Sequence, residues 1–242
     1  MSSKRKLKRN ANIVNSVVNI HEKSKLCAIK DIDYKFDKEV ERVNLNGICQ
    51  KNCSLCCHDF FFISFNDFLY IVHELETRGK SLKPYIKKAN EVRNFYMLNY
   101  PEKYDILVTK MPDGQYASTD TRYIYEYFEN EKNRYKLPAC IFLNNGKCDI
   151  YNFRPSICRM YGTSNKCSLM QDINEVISDD VLYEFTKVHD FIETTTYGHI
   201  QDRPYPLFYL FSEYLGTKKE IVVKNRLKLI RENTKDIANF EK

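Results

Sequence analysis

The sequence has no tryptophan and little glycine or proline. Its 242 residues include only seven glycines and seven prolines. Because sandwiches and barrels of many short strands need frequent turn residues, this shortage favours long helices instead. The chain is nevertheless rich in other aromatic residues, with 18 tyrosines and 15 phenylalanines, and 43% of it is hydrophobic. Such a composition excludes general disorder and predicts a packed, mainly α-helical single domain.

Long apolar runs are also absent. No stretch approaches the roughly 18 apolar residues that a membrane-spanning helix requires, and asparagines interrupt the segment that follows residue 10. We therefore expect a cytoplasmic protein with neither a signal peptide nor a membrane span. Glycine-rich phosphate loops, nucleophile elbows and HExxH motifs are missing as well, so the sequence gives no support to hydrolases or nucleotide-dependent enzymes.

Charge of one sign is missing from the start of the chain. The first ten residues contain no acidic side chain, but they include five basic ones, which account for most of the net charge of +6. We interpret residues 1–20 as a basic flexible tail, 21–215 as the main domain and 216–242 as a basic amphipathic helix. Nucleic-acid binding is the less favoured interpretation, because a solvated tail explains the same charges.

Apolar periodicity predicts several helices. The clearest begins at Ser64, has Asp67 three residues later in the manner of a capping box, and ends near Gly79. Another is expected over 178–193, where an apolar stripe follows two aspartates. Weaker patterns predict helices over 82–98, 119–135, 206–215 and 218–233.

One segment predicts strands instead. In CIFLNNGKCDIY, residues 140–151, two short apolar runs flank Asn145 and Gly146. An Asn-Gly pair in this setting is a strong indicator of a β-hairpin. The hairpin would fold Cys148 back toward Cys140.

Nine cysteines stand out against these shortages. Eight of them form two blocks, namely Cys49, Cys53, Cys56 and Cys57, and then Cys140, Cys148, Cys158 and Cys167. Cytosolic thiols stay reduced, so clustered cysteines there are more often metal ligands or catalytic groups than disulfides. Thiolates bind soft or borderline metals, which indicates zinc or an iron–sulfur cluster. The ninth cysteine, Cys27, is expected to pack as a small apolar residue.

The first block does not easily close a four-thiolate shell. Three of its members, Cys49, Cys53 and Cys56, can face one metal. Cys57 is expected to serve a different metal or the opposite side of the same site, because adjacent side chains diverge. We therefore expect the second block to fold against the first and supply the missing ligands. Such a site is negatively charged and needs nearby donors, for which Arg154 and Arg159 are the candidates.

The two blocks resemble a known family. The residues CQKNCSLCC and, later in the chain, LPACIFLNNGKCDIYNFRPSICRMYG are similar to the zinc- or iron-chelating cysteine-cluster family, the YkgJ-like proteins with a CxxCxxCC signature. The resemblance spans Cys49 to Cys167 and implies that these cysteines bind metal. A related domain occurs in flagellin lysine N-methylases. It implies an alternative, an iron–sulfur-dependent protein lysine N-methyltransferase-like enzyme that uses S-adenosylmethionine on a protein substrate.

One departure from the family pattern matters. Three residues rather than two separate Cys49 from Cys53, and the resulting C-x-x-x-C-x-x-C is similar to the radical S-adenosylmethionine signature. A standard radical enzyme is disfavoured, because Leu55 replaces the usual aromatic residue and no strand–helix series predicts a partial barrel. The prediction is therefore a metal-binding protein with no catalytic residue indicated. A zinc-scaffolded nucleic-acid binder is the weakest alternative.

Overall fold

The structure, a computed structural model, describes residues 25–42, 54–58, 61–108, 137–160, 180–188 and 205–228. Most of these residues are helical, and the strands form two small antiparallel pairs. The expectation of a mainly helical protein with a small hairpin is confirmed. A cysteine-rich metal site as the organising centre of the fold stays a prediction.

The regular elements are short, apart from three helices. In chain order the helices are α1 (Lys25–Arg42), α2 (Phe65–Thr77), α3 (Lys83–Asn99), α4 (Pro101–Val108), α5 (Ser156–Met160), α6 (180–188), α7 (Leu207–Tyr214) and α8 (220–228). The strands are β1 (Phe62–Ile63), β2 (Leu143–Asn144), β3 (Lys147–Cys148) and β4 (Tyr205–Pro206), and 3₁₀ turns cover Leu55–His58 and Tyr151–Phe153. None of the helices in the described ranges is long and apolar enough to cross a membrane.

The chain divides into two compact units. The first comprises Met1–Gln50, Arg159–Gln201 and Asn225–Lys242, and the second comprises Lys51–Cys158 and Asp202–Lys224. Helices α1 and α6 belong to the first unit, whereas α2, α3, α4, α7 and both strand pairs belong to the second. The single domain over 21–215 and its boundaries at residues 20 and 215 stay predictions, since compact units are defined by contacts and not by independent folding.

Helix α1 provides most of the buried apolar side chains that the structure describes in the first unit. Its buried apolar side chains recur every three or four residues, as one helix face requires, and they are Ala28, Ile29, Ile32, Phe36 and Val40. The ring of Phe36 lies 4.3 Å, centroid to centroid, from that of Phe185 in α6. No helix is predicted over this segment from the sequence, because its apolar residues are separated by many charged ones.

Aromatic side chains form the core of the second unit. Phe68 of α2 makes an edge-to-face contact with Phe211 of α7, at a centroid distance of 5.2 Å. Tyr96 of α3 stacks on Phe208 of α7 at the same distance. Aromatic pairs in these geometries stabilise a core by more than their buried area alone would. Helices α2, α3 and α7 therefore support the segments that carry the cysteines of this unit.

The capping pattern at Ser64 is confirmed. Its side chain accepts a hydrogen bond from the backbone N–H of Asp67 at 3.0 Å, and α2 follows directly. The helices predicted over 82–98 and 206–215 are also confirmed, as α3 and α7. Those predicted over 178–193 and 218–233 are confirmed for 180–188 and 220–228. The rest of these two segments, and the helix predicted over 119–135, lie outside the described residues.

The predicted hairpin is present and turns at the predicted residues. Strands β2 and β3 pair antiparallel, with Leu143 opposite Cys148. Asn145 and Gly146 connect them with φ of 49° and 73°. Two consecutive positive φ angles are typical of the type I′ turn, whose twist matches that of the flanking strands.

Candidate metal centre

Four of the eight predicted ligands have described side chains. They are Cys57, Cys140, Cys148 and Cys158, all half-buried, and none of the four forms a disulfide. All four belong to the second unit. Three others, Cys49, Cys53 and Cys167, lie outside the described residues. The structure describes Cys56 and Cys27 only through their helical backbone.

The two cysteine blocks meet at the backbone. The N–H of Cys140 donates a hydrogen bond of 2.6 Å to the carbonyl oxygen of Cys57. Cys57 itself is fixed by a 3₁₀ turn, in which its N–H donates to the carbonyl oxygen of Ser54 at 2.9 Å. One residue of the first block is therefore in direct contact with one residue of the second.

The hairpin brings a third cysteine toward this contact. The N–H of Leu143 donates to the carbonyl oxygen of Cys140 at 2.9 Å, and Leu143 pairs with Cys148 across the hairpin. The N–H of Asp149 donates to the carbonyl oxygen of Phe142 at 3.0 Å, which extends the hairpin toward its open end. Leu143, whose N–H is bonded to Cys140, therefore lies directly opposite Cys148 in the hairpin.

Helix α3 holds this hairpin through two side chains on one face. The hydroxyl of Tyr85 donates to Oδ2 of Asp149 at 3.2 Å, and Nζ of Lys88 donates to the carbonyl oxygen of Leu143 at 3.0 Å. The ring of Tyr85 also lies 5.0 Å, centroid to centroid, from that of Phe142. Since Tyr85 and Lys88 are three positions apart, the helix presents both to the hairpin.

The electrostatics around Tyr85 keep its hydroxyl protonated. Burial raises the pKa of Tyr85 to about 12, and the nearby Asp149 and Cys148 act in the same direction because negative charge on either disfavours a phenolate. At neutral pH the hydroxyl is therefore a hydrogen-bond donor.

Cys158 lies on α5. The first residue of α5, Ser156, is hydrogen-bonded to α2. The carboxylate of Asp67 accepts from the Oγ–H of Ser156 at 3.1 Å and from its backbone N–H at 3.4 Å. Asp67 is buried, and Ser64 in turn caps its helix. The same first turn of α2 therefore orders its own helix and the helix that carries Cys158.

The two predicted cationic donors make other contacts. The guanidinium of Arg154 lies 4.1 Å from the ring centroid of Tyr151 and donates to the carbonyl oxygen of that residue. Arg159 is buried in the first unit, where it forms ion pairs with Asp33, at 3.1 Å, and with Asp37. A hydrogen bond from either arginine to a ligand sulfur stays a prediction.

The described thiols suit a soft metal in their chemistry. Among the residues described, no three histidine, cysteine, aspartate or glutamate side chains converge in the arrangement of a metal site. Four of the predicted ligands, Cys49, Cys53, Cys56 and Cys167, are not among these residues, because their side chains are not described. Half-buried cysteines outside disulfides are the donors that zinc and iron–sulfur clusters prefer.

A small apolar cleft lies next to Cys140. Its volume is about 40 Å³, and its walls include Val92 and Tyr96 of α3 and Leu207 and Phe208 of α7. Pockets for drug-sized ligands usually measure about 300 to 1,000 Å³. This cleft is therefore smaller than the pockets that usually hold drug-sized ligands.

Comparisons with known proteins give no relative. No protein-family model matches the chain. No curated protein matches it, and neither does any solved structure. The resemblance to the cysteine-cluster family therefore rests on the motif residues alone and stays a prediction.

Three residues at this site were not anticipated in their present roles. Tyr85 and Lys88 occur in a helical pattern that marks them only as part of a helix, and Asp67 was expected only to cap α2. A signal does exist for the first two, because they lie three residues apart and therefore on the same side of α3. What they bind could not be read from that spacing.

Proposed function

We propose that the protein binds zinc or an iron–sulfur cluster through its two cysteine blocks, Cys49–Cys57 and Cys140–Cys167. The observation that carries the proposal is the hydrogen bond from the N–H of Cys140 to the carbonyl oxygen of Cys57. It joins two cysteine segments that are remote in sequence. A metal that is shared by the two blocks requires these segments to lie together, and this bond supports that arrangement.

The four described cysteines come from both blocks. Cys57 represents the first block, and Cys140, Cys148 and Cys158 represent the second, all within one compact unit. A bound zinc ion or cluster would cross-link the two blocks. Because the ligands must be thiolates, the function suits a reducing compartment and agrees with the cytoplasmic location that we expect.

Metal analysis tests the proposal directly. We expect anaerobically purified protein to contain either zinc without sulfide and without visible absorption, or iron with sulfide and a brown colour. Protein with neither zinc nor iron above the level of the buffer would overturn it. Zinc without sulfide would also exclude the alternative of an iron–sulfur-dependent methyltransferase.

Serine substitutions test the division of the cysteines. We expect Cys53→Ser and Cys158→Ser each to lower the metal content measured per folded protein, because serine replaces a thiolate ligand by a poor one. The matched control is Cys27→Ser, which should leave the metal content unchanged. Equal losses from all three variants would contradict the assignment of Cys27 as a packing residue.

A further inference from the structure

We propose that Tyr85 is a positioning residue for Cys148, because its hydroxyl holds Asp149 and thereby fixes the hairpin on which this thiol lies. The functional meaning of this inference rests on the proposed metal binding. Its geometric basis does not, since the contacts of Tyr85 are present in the chain itself.

The hairpin has little means of holding its own position. Each of its strands has only two residues, and four consecutive residues, Asn144 to Lys147, are exposed. An isolated two-stranded hairpin is at best marginally stable in water. The position of Cys148 must therefore be fixed by contacts from outside the hairpin.

Helix α3 supplies those contacts on both strands. Lys88 binds the carbonyl oxygen of Leu143, the first residue of β2, and Tyr85 binds the side chain of Asp149, the residue after β3. The ring of Tyr85 also packs on Phe142. The helix thus holds the open end of the hairpin, where Cys148 lies, and leaves the turn in solvent.

Of these contacts, the hydroxyl of Tyr85 acts most directly on the thiol. Asp149 is joined to Cys148 by a peptide bond, so a hydrogen bond that holds its side chain restrains the backbone next to the thiol. Tyr85 is also buried, with 6% of its surface exposed. Water is therefore a poor substitute for its hydroxyl at this position.

The variant Tyr85→Phe tests the inference, because it removes the hydroxyl and keeps the ring that packs on Phe142. In metal-free protein we expect the alkylation of Cys148 by iodoacetamide, followed by peptide mass spectrometry, to become several-fold faster relative to that of Cys57. In metal-loaded protein we expect competition with a chelator to show an affinity lower by about 10- to 100-fold. The matched control is Tyr209→Phe, which removes a hydroxyl from α7 in the same unit.

Two variants of Asp149 separate positioning from general stability. Asp149→Asn keeps an acceptor for the tyrosine hydroxyl and should keep the alkylation of Cys148 slow, whereas Asp149→Ala should resemble Tyr85→Phe. An unchanged rate at Cys148 in Tyr85→Phe would overturn the inference. So would an equal increase at Cys57, Cys148 and Cys158, which would indicate a loosened unit.

The outcome also distinguishes this inference from the proposed function. A selective increase at Cys148 in a protein that never binds metal would support the positioning by Tyr85 and contradict metal binding. If Tyr85→Phe still binds metal normally and the alkylation rate of Cys148 is unchanged, the result would support metal binding and contradict the positioning by Tyr85.

Discussion

Arg159 buries a guanidinium between two carboxylates. Only 1% of the Arg159 side chain is exposed. Its partner at 3.1 Å, Asp33, has 6% of its side chain exposed. Charges removed from water in this way are costly unless they remain paired. The position of Arg159 beside Cys158 predicts a contact with a ligand sulfur, which stays a prediction, and adjacency in the chain gives no sign of these two carboxylate partners. Its partners come from α1, a helix that is not predicted from the sequence.

Loss of this charge should destabilise the protein strongly. We expect Arg159→Met to lower the free energy of unfolding by about 3 to 5 kcal/mol, because it leaves the buried Asp33 without its counter-charge. Urea unfolding at neutral pH measures the effect. The control is Lys35→Met, which removes an ion pair to Glu184 whose lysine is 60% exposed and should cost less than about 1 kcal/mol. Similar losses in the two variants would contradict this account.

Among elements, the hairpin was the most predictable from sequence and α1 the least. Asn145 and Gly146 predict the turn of the hairpin, because few other residue pairs adopt two positive φ angles. In α1 the apolar residues are regularly spaced. The many charged residues between them lower the apolar content of the segment, so the helix is difficult to recognise from the sequence. The pairing of β1 with β4 was not predicted either. Strands of two residues are too short to show alternation, and one of these contains Pro206.

The turn of the hairpin allows a prediction at the level of this element. Gly146 has φ of 73°, and a Cβ added there would meet no atom within 4 Å, so Gly146→Ala would strain only the backbone. We expect a loss of about 1 to 2 kcal/mol in the free energy of unfolding. Chelator competition should also show weaker metal binding, because the strained turn shifts Cys148.

A second glycine provides the matched control for that prediction. Gly79 follows α2, has φ of 65° and is equally open to an added Cβ. Gly79→Ala should therefore cost a similar free energy of unfolding and leave the metal affinity unchanged. Equal losses of metal affinity in the two variants would show that the effect reflects stability alone.

For the whole molecule, the sequence predicted which segments of the candidate site meet but not what holds them. Tight cysteine spacing in the first block made a partner block necessary, and the contact between Cys57 and Cys140 agrees with that expectation. The supports could not be predicted. Tyr85 and Asp67 reach their partners only after α2 and α3 have packed, and no local pattern encodes a contact of that kind.

Stability should therefore differ between the helical core and the cysteine segments. We expect a chelator to accelerate amide hydrogen exchange in residues 55–58 and 140–148, because these short elements have few hydrogen bonds of their own. Residues 85–96 and 207–214 should keep their protection, since aromatic contacts hold α3 and α7 together. Exchange measured by mass spectrometry with and without the chelator tests this. Identical exchange in both states would contradict metal binding at these segments.

The hydrogen bond between Cys57 and Cys140 also bears on when a newly made chain would acquire the proposed metal. Helices α2, α3 and α4 all lie between these residues in the sequence, and contacts between distant residues form late because closing a long loop costs entropy. A nascent chain exposes the first cysteine block well before the second has been synthesised. On the proposed function, an ion captured at that stage is held by an incomplete shell and can be exchanged. On the proposed function, the final choice of metal would therefore be made late in maturation, after the second block has been synthesised and the hairpin has formed.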